Sequence, residues 1–218
     1  RELGISDHYD HYTDSKSLFN EVKDIDVVAI ATPNGLHAEH ALQCIKYGAH
    51  PIIEKPMSLR SVDAEKVLHE ALQKGRYVFG VMQNRYSPPS KWLKEIISSE
   101  KLGEIYMVHV DCFWNRDDRY YKSGDWHGSK NLDGGTLFTQ FSHFIDILYW
   151  VFGDVYPTHV DVHNFNHKES IDFEDSGMVH FNLASGGKGS LNYSTSVWGS
   201  NLESSLTVIG ENGSIKIA

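Results

Sequence analysis

The chain has 218 residues, with 20 Lys and Arg against 29 Asp and Glu, a formal net charge of −9 at pH 7. This charge argues against nucleic acid or an anionic membrane as a partner, since both would be repelled. A hydrophobic share of 40% with 22% charged residues is typical of a water-soluble globular protein. Apolar runs stay well short of the roughly 18 residues of a membrane span, and the N-terminus lacks a signal-peptide pattern, so we expect a cytoplasmic protein.

The first part of the chain alternates predicted helices and strands. Helices are predicted over residues 15–22, 37–47 and 62–74, and strands over residues 27–31, 51–54 and 77–82. The strand Val-Val-Ala-Ile-Ala is a continuous apolar run, which predicts burial on both faces of a parallel sheet. Alternation of this kind indicates βαβ units.

The second part is dominated by strands. After Pro88-Pro89 and a short helix to residue 97, the pattern predicts a strand over 105–114, a polar and aromatic loop over 115–132 and a helix over 134–152. Further strands are predicted over residues 158–166, 176–182, 188–195, 202–209 and 214–217, joined by hairpin turns.

We therefore predict an α/β plus α+β protein. An incomplete Rossmann-like parallel sheet occupies residues 1–86, and an α+β domain with an open, mostly antiparallel β-sheet covered by helices occupies residues 87–218. The G-x-G-x-x-G turn that opens a dinucleotide-binding fold is absent from this sequence. We expect the chain to be part of a longer protein, with the first βα unit of the nucleotide-binding domain lying before residue 1.

Glu54 and Lys55 follow directly on the second short strand. Groups at the carboxyl ends of parallel strands face the crevice where open α/β sheets bind ligands. The spacing alone therefore makes this pair a candidate site. The alternative is an exposed ion pair that contributes little.

A polar stripe marks the predicted helix 134–152. At 100° per residue its polar side chains fall within an arc of roughly 160°, and almost everything else on the helix is apolar. The members of the stripe are Thr136, Thr139, Gln140, Ser142, His143 and Asp146. Because an unpaired buried polar group costs about 1–3 kcal/mol, the stripe must face polar groups, water or a ligand. For His143, the alternative is a core histidine bonded to Asp146 or to a backbone carbonyl.

The segment DVVAIATPNGLHAEHALQ, the tripeptide Glu-Lys-Pro at 54–56 and the later Gly-Gly…His-Phe-Ile-Asp together resemble the Gfo/Idh/MocA family of nicotinamide-dependent sugar oxidoreductases. The likeness covers nearly the whole chain. It implies a hydride transfer from a sugar secondary alcohol to NAD, with NADP not excluded.

The resemblance implies catalytic roles for Lys55 and His143, which would take the hydroxyl proton together. Glu54 would hold Lys55 or a cofactor hydroxyl, and the bond from Lys55 to Pro56 is often cis in the family. Many relatives carry Asp or Asn where this chain has Thr139, so the path of the proton stays open.

Cofactor-binding residues also follow from the resemblance. Cofactor-binding side chains are expected from four places in the chain, which together contribute Thr32, Pro33, Asn34, His37, Glu54, Lys55, Gln83, Arg85 and Trp126. Asn34 has a second interpretation, as the N-cap of the following helix.

Residues 83–135 most resemble the branch of the family that oxidises the 3-hydroxyl of UDP-N-acetylglucosaminuronic acid in lipopolysaccharide biosynthesis in bacteria. The loop 114–128 is rich in cations and aromatic rings, which suit phosphate, carboxylate, a base or a sugar. The expected substrate-binding residues are Lys55, Arg116, Arg119, Tyr120, Thr139, Gln140 and His143. Inositol, a neutral hexose, or a non-catalytic sugar or nucleotide sensor remain alternatives.

We expect no metal site. His159, His163 and His167 share a face of the predicted strand 158–166 and its extension, but ligands four residues apart on a strand lie roughly 13 Å from each other. Cys44 and Cys112 are expected to be reduced. The expected partners are a small-molecule sugar or nucleotide-sugar substrate and further copies of the chain, assembled through the sheet of the second domain.

Overall fold

The structure is a computed structural model that describes residues 10–218. These residues form two compact units, one containing residues 10–32 and 36–81, the other containing residues 33–35 and 82–218. Within the described range, no helix combines the length and the apolar character that crossing a membrane requires.

The first unit holds a parallel three-stranded sheet in the order β1-β2-β3. Its strands are β1 (Val27–Ile30), β2 (His50–Ile53) and β3 (Phe79–Gly80). Its helices are α1 (Ser15–Glu21), α2 (His37–Lys46) and α3 (Ser61–Lys74). The apolar spacing of α2 and α3 buries Ala41, Ile45, Val67 and Ala71 with Ile53 of β2. The predicted parallel sheet is confirmed.

Two details of this sheet differ from the predictions. Val27 is 48% exposed because β1 is an edge strand within the described residues, so the expected burial on both faces is wrong. Strand β3 is shorter than the predicted 77–82. The backbone N–H of Tyr77 donates to the ring Nδ1 of His50 at 2.9 Å, and the ladder starts only at Phe79.

The second unit holds a six-stranded sheet in the order β5-β6-β7-β4-β8-β9. Its strands are β4 (Ile105–Phe113), β5 (Val155–His163), β6 (Ser176–Leu183), β7 (Lys188–Ser194), β8 (Glu203–Gly210) and β9 (Gly213–Ile217). Its helices are α4 (Pro88–Ser98), α5 (Asp118–Tyr121), α6 (Thr136–Thr139) and α7 (Ser142–Phe152). Only β4 and β7 pair in parallel. The predicted open, mostly antiparallel sheet is confirmed, and its core joins Val108 and Val110 of β4 to Ile147 and Leu148 of α7.

The continuous helix predicted over 134–152 is wrong. The chain forms α6, leaves helical geometry at Phe141 (φ −108°, ψ 4°) and starts again as α7. Phe141 is fully buried, with its ring 5.0 Å from Trp114 and 5.4 Å from Tyr193 between centroids, so core packing outweighs the local helical preference. The polar stripe is therefore divided between two helices. Among the apolar residues of these helices, Phe138 and Ile145 are each 41% exposed, while Ile147, Leu148 and Val151 are buried.

His167 does not share a strand face with His159 and His163. Strand β5 ends at His163, and His167 follows in a turn where its Nδ1 lies 3.0 Å from a carboxylate oxygen of Asp175. His167 is 4% exposed, so this pair is buried in the turn and does not lie on a face of β5. Across residues 10–218 there is no group of three or more His, Cys, Asp or Glu arranged to hold a metal ion, and both cysteines are free.

Candidate active site

The Glu54-Lys55 pair lies where the pattern predicted it, directly after β2. The backbone N–H of Glu54 donates to Ile30 of the neighbouring strand at 3.0 Å, which extends the sheet by one residue. The Glu54 carboxylate accepts from the Lys55 backbone N–H at 3.3 Å. Both side chains are half-buried, and the peptide bond from Lys55 to Pro56 is cis. The carboxyl edge of the parallel sheet thus carries the carboxyl group of Glu54 and the amino group of Lys55.

His37 joins the ends of β1 and β2 in the first unit. Its ring is 1% exposed, with Nδ1 2.8 Å from the carbonyl oxygen of Pro56 and Nε2 2.7 Å from that of Thr32. Thr32 also contacts His40 through its hydroxyl, 3.0 Å from Nδ1. A cofactor-binding role for His37 stays a prediction, and its placement means that the ring would act by holding these two loops.

Asn34 is bound to α6 and not to α2. Its Nδ2 donates to Thr139 Oγ1 at 2.8 Å and to the carbonyl oxygen of Asp133 at 2.9 Å. The N-cap of α2 is Leu36, without a side-chain cap, so the N-cap interpretation of Asn34 is wrong. Both amide N–H groups of this buried side chain are engaged, and this fixes the orientation of its amide plane.

Asp133 is a site candidate that the sequence analysis missed. The side chain is 1% exposed, accepts from the backbone N–H of Gly128 at 2.8 Å and accepts a short hydrogen bond from the Thr139 hydroxyl. A buried carboxylate therefore lies beside Thr139, the position for which the family resemblance implies Asp or Asn. The signal in the sequence that could have found it is its place directly before the Gly134-Gly135 pair.

Gly35 is required by a close backbone approach. A Cβ at this position would lie 2.1 Å from the carbonyl oxygen of Asn131, and the Gly35 N–H donates to Leu132 at 2.9 Å. We expect Gly35→Ala to lower the free energy of unfolding by about 1–3 kcal/mol, because backbone atoms must move apart. Urea unfolding followed by circular dichroism measures this change. Gly80→Ala is the control, since a Cβ there would meet no atom within 4 Å; equal losses in both variants would contradict the argument.

Arg85 lies against α7. Its Nε and Nη2 donate to the two carboxylate oxygens of Asp146 at 2.8 and 2.5 Å. This hydrogen bonding raises the pKa of Arg85 above its ordinary value. The carboxylate that the core-histidine alternative assigned to His143 is therefore held by Arg85. Gln83, predicted together with Arg85, is exposed at the start of a short 3-10 helix.

Arg116, Gln140 and Tyr120 lie together. Arg116 Nε donates to Gln140 Oε1 at 2.8 Å, and Gln140 Nε2 donates to the Tyr120 hydroxyl at 2.6 Å. The guanidinium also lies over the rings of Trp114 and Tyr120, 4.9 and 5.3 Å from their centroids. Burial lowers the pKa of Arg116 and raises that of Tyr120 to about 12. Three of the residues predicted to bind substrate thus form one hydrogen-bonded cluster.

The remaining cations of the loop are neutralised locally. Arg119, with its side chain 76% exposed, donates to both carboxylate oxygens of Asp117, and Lys122 pairs with Asp118 at 2.6 Å. Trp126 stacks on His127 with ring centroids 4.0 Å apart. The loop therefore has fewer unpaired charges than its composition suggested.

Comparison with known protein families shows to which family the chain belongs. Residues 1–81 match the profile of an oxidoreductase family with an NAD-binding Rossmann fold, and residues 91–216 match the GFO/IDH/MocA C-terminal domain. The chain belongs to the Gfo/Idh/MocA family. The family resemblance drawn from the motifs is confirmed, and so is the expectation of an NAD-binding fold.

Individual relatives of this Gfo/Idh/MocA chain differ in what they act on. The WlbA dehydrogenase from Bordetella pertussis, crystallised with NADH and UDP-GlcNAcA, is 31% identical with a TM-score of 0.90, over 94% of this chain and 60% of that one. The scyllo-inositol 2-dehydrogenase (NADP(+)) IolW of Bacillus subtilis is 32% identical over 59% of this chain and 35% of its own length. An uncharacterized oxidoreductase of Synechocystis is 27% identical over 88% of this chain and 54% of its own length. The chain therefore spans about half the length of the relatives that it matches.

Lys55 and His143 belong to different units of the structure. Lys55 follows β2 of the first unit, and His143 lies in the first turn of α7 in the second, with its Nδ1 buried. Arg116, Tyr120, Thr139, Gln140 and Asn34 all belong to the second unit, where Asp133 joins Thr139 to Asn34. The structure thus brings most of the predicted substrate-binding residues into one body.

Proposed function

We propose that the protein carrying this chain oxidises a secondary alcohol of a sugar or polyol with NAD as the hydride acceptor. The observation that carries the proposal is the match of both parts of the chain to one oxidoreductase family, together with Lys55 directly after β2 and His143 in the first turn of α7. The carboxyl edge of the parallel sheet would fit a nicotinamide cofactor, because the loop after β1 offers backbone groups and the partly exposed Thr32 there.

The proposed chemistry needs a base at the hydroxyl oxygen and a cation that stabilises the developing alkoxide. Imidazole suits the base, since its unperturbed pKa lies near neutral pH. The Lys55 ammonium supplies the positive charge, and positioned charges of this kind lower the barrier most in a site that excludes water. Bound NAD would supply the hydride acceptor. His143 and Lys55 would hold the substrate oxygen, and Glu54 would fix the backbone at Lys55 through the hydrogen bond described above.

For the substrate, we propose a UDP-N-acetylhexosaminuronic acid oxidised at its 3-hydroxyl. Support comes from the likeness to the dehydrogenase of Bordetella pertussis and from the Arg116–Gln140–Tyr120 cluster, which offers a cation and polar groups for an acidic sugar. Inositol or a neutral hexose is the second candidate, favoured by the likeness to the Bacillus inositol dehydrogenase.

We also propose that copies of the chain pair through the outer face of the six-stranded sheet. This face carries exposed apolar side chains on several strands, which is unusual for a surface that stays in water. They include Tyr106, Met107, Tyr156, Met178 and Ile209. The burial of such a face in a dimer or tetramer would remove them from solvent.

The function is tested by mixing the purified protein with NAD and UDP-N-acetylglucosaminuronic acid and following reduced nicotinamide at 340 nm through one turnover. We expect reduction with the acidic nucleotide sugar. Reduction with inositol or glucose alone would favour the second candidate. A protein that binds NAD but reduces it with none of these substrates would contradict the proposed activity.

A further inference from the structure

A cleft of about 290 Å³ opens beside the loop that follows β4, within the second unit. It lies between the start of that loop, the turn after β5 and the segment that follows β7. Its lining includes Asn115, Arg116, Arg119, His167, Ser196 and Trp198. None of the residues from the turn after β5 or the segment after β7 has been assigned a role above.

Two backbone hydrogen bonds and one from a side chain hold the walls of the cleft together. The backbone N–H of Arg116 donates to the carbonyl oxygen of Thr195 at 2.9 Å, and Asn115 Nδ2 donates to that of Val197 at 2.6 Å. The backbone N–H of Val197 in turn donates to Trp114 at 3.2 Å. The cleft is therefore formed before any ligand enters, which lowers the entropic cost of binding.

The lining offers groups that recognise an anion. Arg116 and Arg119 contribute two positive charges, and Asp117, which also lines the cleft, offsets one of them. His167 also lines the cleft; it is 4% exposed, and its Nδ1 lies 3.0 Å from a carboxylate oxygen of Asp175. An imidazole held by a carboxylate at one nitrogen can bind an oxygen of a ligand through the other.

The opposite wall offers an aromatic surface. Trp198 is 97% exposed, although an indole ring usually packs against other side chains. A planar π-face of this kind stacks on nucleic-acid bases. Arg116 then connects the cleft to the proposed sugar site, because the same guanidinium lines the cleft and donates to Gln140.

We propose that this cleft binds the nucleoside diphosphate part of the substrate, with Arg119 and His167 at the phosphate oxygens and Trp198 stacked on the base. The substrate class rests on the proposed function. The sugar would extend from the diphosphate past Arg116 toward Gln140, so that one ligand spans both places.

The test uses UDP alone, titrated into the purified protein by isothermal calorimetry. Trp198→Ala is expected to raise the Kd for UDP about tenfold, the loss of one stacked base. Arg119→Ala is expected to raise it about tenfold as well, through the lost charge-assisted hydrogen bonds. The matched controls are Trp92→Ala, which removes another half-exposed indole on α4, and Lys122→Ala, which removes a neighbouring cation outside the cleft. Both controls should bind UDP like the unaltered protein.

Inorganic pyrophosphate separates the two halves of the site. Its binding should weaken in Arg119→Ala and stay unchanged in Trp198→Ala. An unaltered protein that does not bind UDP, or variants that bind it like their controls, would overturn the proposal. UDP binding that depends on Trp198, in a protein that reduces no NAD with UDP-N-acetylglucosaminuronic acid, would sustain the cleft and reject the proposed activity. If the protein reduces NAD with UDP-N-acetylglucosaminuronic acid but both variants bind UDP as tightly as the unaltered protein, the proposed activity stands and the proposed cleft is rejected.

Discussion

Replacing His143 by alanine is expected to lower kcat for alcohol oxidation by about 10²–10⁴-fold, the usual contribution of a positioned general base. The loss should appear in the hydride-transfer step, measured by stopped-flow formation of reduced nicotinamide. NAD affinity should change little, because the proposed role of His143 is at the substrate oxygen. His159→Ala is the control, since His159 is an exposed imidazole on β5.

A second variant connects His143 to Lys55. If the two groups act on the same proton, the double variant Lys55→Ala/His143→Ala should be hardly slower than either single variant, because residues that act as a unit are not additive. If the rate losses of the two single variants multiply in the double variant, Lys55 and His143 have separate tasks. A His143→Ala protein that is folded and turns over at a near-normal rate would reject the assignment of the base.

The largest expected loss of stability follows Asp175→Asn. The Asp175 carboxylate is fully buried and accepts hydrogen bonds from the His167 ring, the Ser176 hydroxyl and two backbone N–H groups. We expect the free energy of unfolding to fall by about 3 kcal/mol at pH 7, because an amide cannot accept all of these hydrogen bonds and leaves buried donors unsatisfied. Guanidinium unfolding at equilibrium measures it.

The pH dependence of this loss has a defined sign. Burial alone would raise the pKa of Asp175, but the hydrogen bonds from His167 and the backbone outweigh it and hold the pKa well below its usual range. A carboxylate with a lowered pKa stabilises the fold at neutral pH, and this contribution is lost as pH falls through the folded-state pKa. The difference between Asp175→Asn and the unaltered protein should therefore shrink below about pH 4.

Asp161→Asn provides the matched control. Asp161 also pairs with a histidine, at 2.8 Å from His163, but both side chains are more than half exposed. An exposed pair contributes about 0–1 kcal/mol, so this variant should unfold close to the unaltered protein. Similar losses in the two variants would mean that burial does not decide the strength of the Asp175 pair.

Local patterns in the sequence were enough to predict the order of elements. The apolar spacing of α2 and the strand run before it define the βαβ unit, and the position of Lys55 after β2 follows directly from that unit. Hairpin turns such as Ser185-Gly186-Gly187 predicted the antiparallel pairing of β6 with β7. These features depend on residues close together in the chain, so the side-chain period determines them.

The site is different because its contacts join distant parts of the chain. Arg85 with Asp146, and Asn34 with Thr139, are pairs whose members could each have bonded other groups nearby. The sequence therefore left open an Asp146 partner for His143 and a second interpretation of Asn34 as the N-cap of α2. Only the packed structure decides between equally good donors and acceptors, because the choice depends on which surfaces are buried together.

By itself, the sequence determined the family, the two sheets and the chain positions of Lys55 and His143, since motifs and periodicity record them directly. Tertiary structure alone decided the break at Phe141, the Asp133–Thr139–Asn34 hydrogen bonds and the buried His167–Asp175 pair. In each of these cases a ring or a carboxylate that would be solvated in the unfolded chain is removed from water. A buried ring requires packing contacts, and a buried carboxylate requires hydrogen-bond donors from the backbone or from distant side chains. These requirements outweigh the local preference of the sequence.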